Sequence, residues 1–220
     1  MDPDLLAALR RQYVRPGLSA EDLGADPLAA FGGWLADAVA AADEGLLVEP
    51  NAMVLSTVGP DGAPSARTVL LKGLDERGLV LFTNYTSRKA REAAAHPQAV
   101  LLFPWHPLGR QVIFEGALAR VDRAETEAYF RSRPWSSRIG AWASRQSGVV
   151  DRADLDARFA ELSARWPEGT DVPVPEFWGG LRLVPHRVEF WQGRADRLHD
   201  RIRFRRTEPG GLWTVDRLSP

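Results

Sequence analysis

Between residues 52 and 121 the chain alternates short apolar runs with clusters of Gly, Pro and Asp. That alternation limits the possible folds more than any other feature. Residues 52–58 read as a strand, Gly59-Pro60-Asp61-Gly62 as a turn and residues 67–74 as a second strand. Asp75-Glu76-Arg77-Gly78 turns the chain again before a third strand at 79–83. Such tight connections leave no room for a crossover helix, so neighbouring strands are antiparallel. Residues 100–105 and 111–121 add two strands, and apolar segments near 181–184, 187–192, 202–205 and 212–215 extend the set. So many strands in one domain favour barrel closure, which removes exposed edges.

Helical signals flank and interrupt this sheet. Residues 1–13 form a short amphipathic segment ending in the basic knot Arg10-Arg11-Gln12-Tyr13, and Arg15-Pro16-Gly17 breaks it. Asp26 followed by Pro27 starts a helix that runs to about Asp43. Further helices are expected at 87–96, 123–131, 135–144 and 151–166. Asp122 and Glu125 are spaced as a capping box. The fold class is mainly β with flanking α-helices, mostly antiparallel. Residues 1–220 read as one domain whose residues 1–25 form an N-terminal segment able to move.

Composition removes whole classes of chemistry. The 220 residues include no cysteine, which excludes disulfides, thiolate nucleophiles and Cys-ligated metal centres. The four histidines, at 96, 106, 186 and 199, show no metal-ligand spacing, so no metal site is expected. A net charge of −1 gives no general pull toward nucleic acid or anionic membrane. No run reaches about 18 apolar residues, and the N-terminus has no signal-peptide core, so a soluble, cytoplasmic protein is expected. Of 28 basic residues only Lys72 and Lys89 are lysines. They are either survivors of drift toward Arg or positions that need a compact ammonium rather than a guanidinium fork.

Several residues are placed for anions. Arg67 and Lys72 are five apart, which puts them on opposite faces of a regular strand and suits two separate sites. Arg88 and Lys89 sit at a helix start, where cations oppose the helix dipole unless an anion is present. Tyr129, Arg133 and Ser137 recur every four residues, aligning two hydroxyls and a guanidinium, although Pro134 interrupts the helix between them. Each of these also reads as an ordinary solvated face. Gln146-Ser147 closes a polar loop, Trp191 ends a strand and His199 follows in the run Arg197-Leu198-His199-Asp200-Arg201. No GxSxG, P-loop or GxGxxG motif is present.

Taken together, Arg67-Thr68-Val69-Leu70-Leu71-Lys72, Phe82-Thr83-Asn84 and Ser87-Arg88-Lys89 resemble the cofactor core of the pyridoxine/pyridoxamine 5′-phosphate oxidase family. So do Leu102-Phe103-Pro104-Trp105, Arg110-Gln111-Val112, the 129–134 and 139–142 runs, Phe177-Trp178-Gly179-Gly180, the 189–193 and 197–201 runs and Arg217-Leu218-Ser219-Pro220. The resemblance implies an FMN-binding split β-barrel and a homodimer with FMN at the interface. It implies an enzyme that oxidises pyridoxamine or pyridoxine 5′-phosphate with O2 to pyridoxal 5′-phosphate. The cofactor set carried over is Arg67, Thr68, Val69, Leu70, Leu71, Lys72, Phe82, Thr83, Arg88, Lys89, Gln111, Gln146, Ser147, Trp191 and Arg201. The substrate set is Arg10, Tyr13, Lys72, Tyr129, Arg133, Ser137, Arg197, Leu198 and His199, with Arg197 and His199 at the reacting group. Phe82 stands where some members have Tyr, a change that costs little if the position supplies mainly backbone contacts. The competing readings are another flavin enzyme, a non-catalytic flavin or pyridoxal phosphate carrier, and nucleic-acid binding through residues 201–206. The alternation of Arg with Ile and Phe in that last stretch is what a half-exposed strand gives.

Overall fold

The computed structural model describes residues 3–9, 13 and 15–220. Three helices come first: α1 (Pro3–Ala8), α2 (Ala20–Leu23) and α3 (Pro27–Asp43). Strands β1 (Ala52–Val58), β2 (Pro64–Leu70), β3 (Gly73–Asp75) and β4 (Gly78–Asn84) follow, then α4 (Arg88–Ala95). Next come β5 (Gln98–Trp105), β6 (Arg110–Arg120), α5 (Arg123–Ser132), α6 (Trp135–Ala143) and α7 (Arg152–Arg165). The chain ends with β7 (Trp178–Gln192), β8 (Asp200–Arg205) and β9 (Thr214–Leu218). The strands hydrogen-bond in the order β2-β1-β5-β6-β7-β4-β3, with β8 on β7 and β9 on β8. The β3–β4, β4–β7, β7–β8 and β8–β9 ladders are antiparallel.

Two elements differ from the sequence reading. The strand expected at 67–74 is broken. β2 stops at Leu70, and β3 restarts at Gly73, where an added Cβ would lie 3.3 Å from Val80. The segments expected at 181–184 and 187–192 are one 15-residue strand, β7. Its first half pairs with β4 up to Leu183, and its second half pairs with β8 from Arg187. Pro185 falls in the gap between these two registers, where its missing N–H costs no bond to either strand.

Contacts divide the chain into two compact units. The first comprises residues 1–53, 101–115 and 185–220. Its core is aromatic: Phe31 of α3 lies 4.7 Å from Phe103, 4.9 Å from Phe114 and 5.8 Å from Trp105, ring centre to ring centre. Burying each such ring stabilises the fold by about 2–3 kcal/mol. Asp26 caps α3 as expected, accepting the Leu28 N–H at 3.0 Å. Part of the N-terminal segment is anchored here. Leu18 and Leu23 are buried, and the Pro16 carbonyl accepts from Gln192 Nε2 at 2.8 Å.

The second unit comprises residues 54–100 and 116–184. Phe130, Ile139, Val172 and Trp178 form its helical core, with Phe82, Tyr129, Trp142, Phe159 and Leu162 packed against them. Asp122 caps α5 through the Glu125 N–H at 2.6 Å, but the Glu125 carboxylate turns to Arg182 at 2.8 Å rather than completing a capping box. Arg182 is buried and also donates to Asp75 at 2.5 Å, which fixes β3 beside α5.

Candidate active site

A cavity of about 470 Å³ opens in the second unit. Its wall is built from the end of β2 (Arg67, Thr68, Val69, Leu70), the break after it (Lys72) and β4 (Phe82, Thr83). Lys89 of α4, Tyr129, Arg133, Ser137 and Gln146 complete the predicted residues on it. Arg67 and Lys72 were expected on opposite faces of one strand, and the structure corrects this. Lys72 lies beyond the end of β2, so face alternation no longer applies and both line the same cavity. The Lys72 N–H donates to the Val80 carbonyl at 2.8 Å, which fixes the backbone at the break. Leu71 points instead into the core, 7% exposed.

At one end the cations surround a buried carboxylate, Glu92 of α4, which is 4% exposed. Its Oε2 accepts from Thr57 Oγ1 at 2.6 Å, Ser65 Oγ at 2.5 Å and Arg67 Nη2 at 3.2 Å, and its Oε1 accepts from Arg88 Nε at 2.7 Å. Burial alone would raise this carboxyl, but the Ser65, Thr57 and Arg88 donors outweigh it and hold the pKa at about 2. The rest of the Arg67 fork donates to Ser65 Oγ, to Thr57 Oγ1 at 2.5 Å and to the Leu55 carbonyl at 3.2 Å. Lys89 is different. Its Nζ meets only neutral oxygens, Gln146 Oε1 at 2.9 Å and Thr83 Oγ1 at 3.4 Å. Burial pushes this ammonium below the ordinary lysine value, and the Arg67 charge adds to the effect. Ser147 adopts the left-handed region (φ 72°) and accepts the Arg88 N–H on its hydroxyl at 3.1 Å, while Ser87 accepts the Ala90 N–H. Two N–H groups of the α4 N-terminus are therefore already partnered.

At the other wall, the spacing of Tyr129, Arg133 and Ser137 survives Pro134. Arg133 sits at the junction of α5 and α6, and all three residues line the cavity. The Tyr129 ring stacks on Phe82 at 3.9 Å, and Phe82 stacks on Trp178 at 5.5 Å. Phe82 thus contributes its side chain as a floor, beyond the backbone role expected of it. Gly180 makes room: a Cβ there would lie 3.0 Å from the Phe82 ring and 2.5 Å from Val121. Arg133 lies over the Trp178 ring at 4.7 Å, and its Nη1 is buried without a hydrogen-bond partner. Burial lowers its pKa from the usual arginine value. Held over the Phe130 and Trp178 rings, this cavity-lining guanidinium has no carboxylate partner among the described residues, which suits an anion.

The remaining predicted residues lie in the first unit. Tyr13, Trp191 and His199 form a ring cluster, with Trp191 4.8 Å from His199 and Tyr13 edge-on to both. Gly193 is needed there, since a Cβ would fall 2.4 Å from the Tyr13 ring. His199 Nδ1 accepts the Arg194 N–H at 3.1 Å, so a neutral imidazole carries its proton on Nε2. Arg197 and Asp196 have positive φ (60° and 57°). With Ser147 they are the only such non-glycine residues described, all three at or beside predicted site positions. Arg201 binds Glu189 through two bonds, at 2.7 and 3.1 Å, and Gln111 is half-buried on β6. Leu198 is 68% exposed. Arg10 lies outside the described residues.

The sequence reading missed Glu92 as part of this site. Its only local signal was the i, i+4 spacing from Arg88. Asn84, though part of the Phe82-Thr83-Asn84 run, was not assigned to the site, and Ser144 on the cavity wall had no signal of its own. Among the described residues no group of three or more His, Asp or Glu could hold a metal ion, and no helix is long and apolar enough to cross a membrane.

Residues 39–166 match the family described as pyridoxamine 5′-phosphate oxidase, and residues 178–220 match the pyridoxine 5′-phosphate oxidase C-terminal dimerisation region. A pyridoxine/pyridoxamine 5′-phosphate oxidase of Streptomyces avermitilis is 55% identical over 215 residues, covering 97% of this chain and 96% of that one. Among solved structures, PhzG from Burkholderia lata 383, in complex with tetrahydrophenazine-1-carboxylic acid, is 34% identical with a TM-score of 0.83. The match covers 93% of this chain and 98% of PhzG. A pyridoxamine 5′-phosphate oxidase-related, FMN binding protein from Nostoc punctiforme has a TM-score of 0.68 at 21% identity, over 86% of this chain and 96% of that one. The likeness in fold is to the split β-barrel with flanking helices.

Proposed function

Because the chain belongs to the pyridoxamine 5′-phosphate oxidase family, we propose that it oxidises pyridoxamine and pyridoxine 5′-phosphates to pyridoxal 5′-phosphate. FMN is the cofactor and O2 the final acceptor, with H2O2 released and NH3 from the amine substrate. The reading includes a cytoplasmic homodimer with FMN at its interface, and residues 178–220 supply the dimerisation region. The observation that carries it is Arg133, a guanidinium with no carboxylate partner among the described residues, in a cavity wall shared with Lys72, Tyr129 and Ser137. A substrate phosphate, about −1.5 to −2 at neutral pH, supplies the counter-charge.

The residues fit FMN as well. Lys89 has no carboxylate partner among the described residues and faces the cavity, which suits the cofactor phosphate. Bound FMN supplies the two-electron oxidation and its return of electrons to dioxygen. The chain's own groups bind and orient. Arg133 and Lys72 hold the substrate phosphate, and Tyr129 is fixed by its stack on Phe82. Arg197 and His199 are assigned to the reacting group from the family resemblance. His199 holds its proton on Nε2 and acts there as a donor, since Nδ1 is occupied by the Arg194 N–H.

Purification tests this directly. The protein is expected to be yellow, to consume O2 and to form pyridoxal 5′-phosphate from both phosphorylated substrates. Colourless protein that stays inactive after FMN is added would overturn the reading. Turnover of tetrahydrophenazine-1-carboxylic acid in place of the B6 phosphates would move the chain toward the PhzG branch.

A further inference from the structure

We propose that Glu92 is a positioning residue that holds the cavity-lining Arg67 in place for the cofactor phosphate, with Arg88 gathered on its other oxygen, a role that rests on reading this cavity as the flavin site. The carboxylate touches no cavity-facing space itself. It is 4% exposed and gathers donors from three elements: Thr57 on β1, Ser65 and Arg67 on β2, and Arg88 on its own helix, α4.

The geometry does two things. First, it sets the hydroxyl protons. Thr57 and Ser65 donate to Glu92, so their oxygens are left to accept from Arg67. The four terminal N–H directions of Arg67 are thereby occupied by Leu55, Thr57, Ser65 and Glu92, so the guanidinium cannot rotate away from the wall and offers an anion its fixed charge rather than a free fork. A charge fixed in place costs no reorganisation when an anion arrives. Second, it sets the charge. Arg67 and Lys89 on the cavity wall and Arg88 on the far oxygen of Glu92 bring three positive charges, and Glu92 reduces them to a net two. A phosphate monoester at neutral pH carries about −2, so the end of the cavity matches a dianion without excess. Without the carboxylate, two guanidiniums and an ammonium would repel one another at close range.

The test compares FMN with riboflavin, which lacks the phosphate, in wild-type protein stripped of flavin and in Glu92→Gln. Fluorescence titration is expected to show FMN affinity falling by about 10- to 100-fold in the variant. Riboflavin affinity should move by less than about twofold, so the FMN-over-riboflavin preference collapses. Equal losses for the two flavins would mean a merely structural role and overturn the proposal. So would an unchanged FMN affinity, or one that rises because Glu92 competes with the phosphate. If Glu92→Gln fails to fold, Ser65→Ala and Thr57→Val carry the test. Each should lower FMN affinity severalfold with riboflavin unaffected, and no selective loss in either overturns it. Wild-type protein with no preference for FMN over riboflavin would instead refute the flavin reading and the Glu92 role with it. A wild type that prefers FMN beside an unselective variant refutes the Glu92 role alone.

Discussion

Glu92 in the second unit and Asp200 in the first are equally buried, each 4% exposed, and each holds two arginines. Around Asp200 the bonds close on the chain itself. Its Oδ2 accepts the Leu18 N–H at 2.9 Å and its Oδ1 accepts from Arg217 at 2.5 Å, while Arg217 also donates to the Leu18 carbonyl at 2.7 Å. One carboxylate thus joins the N-terminal segment, β8 and the C-terminal strand β9. Around Glu92 the bonds leave charge over: Arg67 and Lys89 line a cavity, and Lys89 has only neutral partners. The same device fastens chain ends in one place and preorganises an open site in the other. What separates them is the neighbouring cation: Lys89 faces a cavity with neutral partners, whereas Arg217 is tied back to the Leu18 carbonyl.

Substitutions can break or sharpen that contrast. The largest effect is expected from Asp200→Ala, which should cost about 3 kcal/mol because it strips a buried anion from its donors. Calorimetry should read this as a fall in Tm of about 6–12 °C. A smaller fall than in Glu92→Gln would erase the distinction between fastener and site. Arg133→Ala comes next. It should raise KM for the phosphorylated substrates at least about tenfold, roughly 1.4 kcal/mol, while Tm holds. An unchanged KM would remove Arg133 from the phosphate. Lys89→Met should weaken FMN binding by about tenfold yet leave Tm level or slightly higher. The wild-type ammonium is desolvated without a carboxylate to compensate it, so removing it relieves the apo protein. A clear loss of Tm would show that Lys89 is structural.

A further effect is in pH. The Glu92 carboxyl is held at about 2 against an ordinary 4.5, so its contribution is complete above about 4.5 and is lost as pH falls toward 2. Asp200 is also lowered: burial pushes it up, but the Leu18 N–H and the Arg217 donor outweigh that. The wild type should therefore lose Tm on acidification more steeply than Glu92→Gln, measured from pH 6 to pH 3. Parallel curves would mean that Glu92 is not held low.

Much of this was legible in the residues, and the failures have physical causes. Alternation and turn clusters locate most strands because a pleated sheet with one buried face imposes a period of two. β8 shows it plainly, with Ile202 and Phe204 buried and Arg201, Arg203 and Arg205 paired outward to Glu189 and Asp216. The break at Leu71–Lys72 was not legible, because the apolar run continues through it and only the β3–β4 pairing reveals the restart. The fusion of two segments into β7 was hidden by Pro185, a residue that normally ends a strand and here sits between two partners. Tyr129, Arg133 and Ser137 were found by helical spacing. The orphaned Arg133 Nη1 depends on packing against Trp178, far away in sequence. Glu92 looked like any surface glutamate on an exposed helix. Only tertiary structure brings Thr57 and Ser65 to it.

The break after β2 has a consequence for how this cavity can change over time. Arg67 is tied to the register of β2, whereas Lys72 is tied to β4 through the Val80 carbonyl. A slip of β2 by one residue would turn Arg67 to the other face and leave Lys72 where it is. The two ends of the cavity are therefore separable modules. A substitution that changes what is gripped at one end need not move the backbone that holds the other.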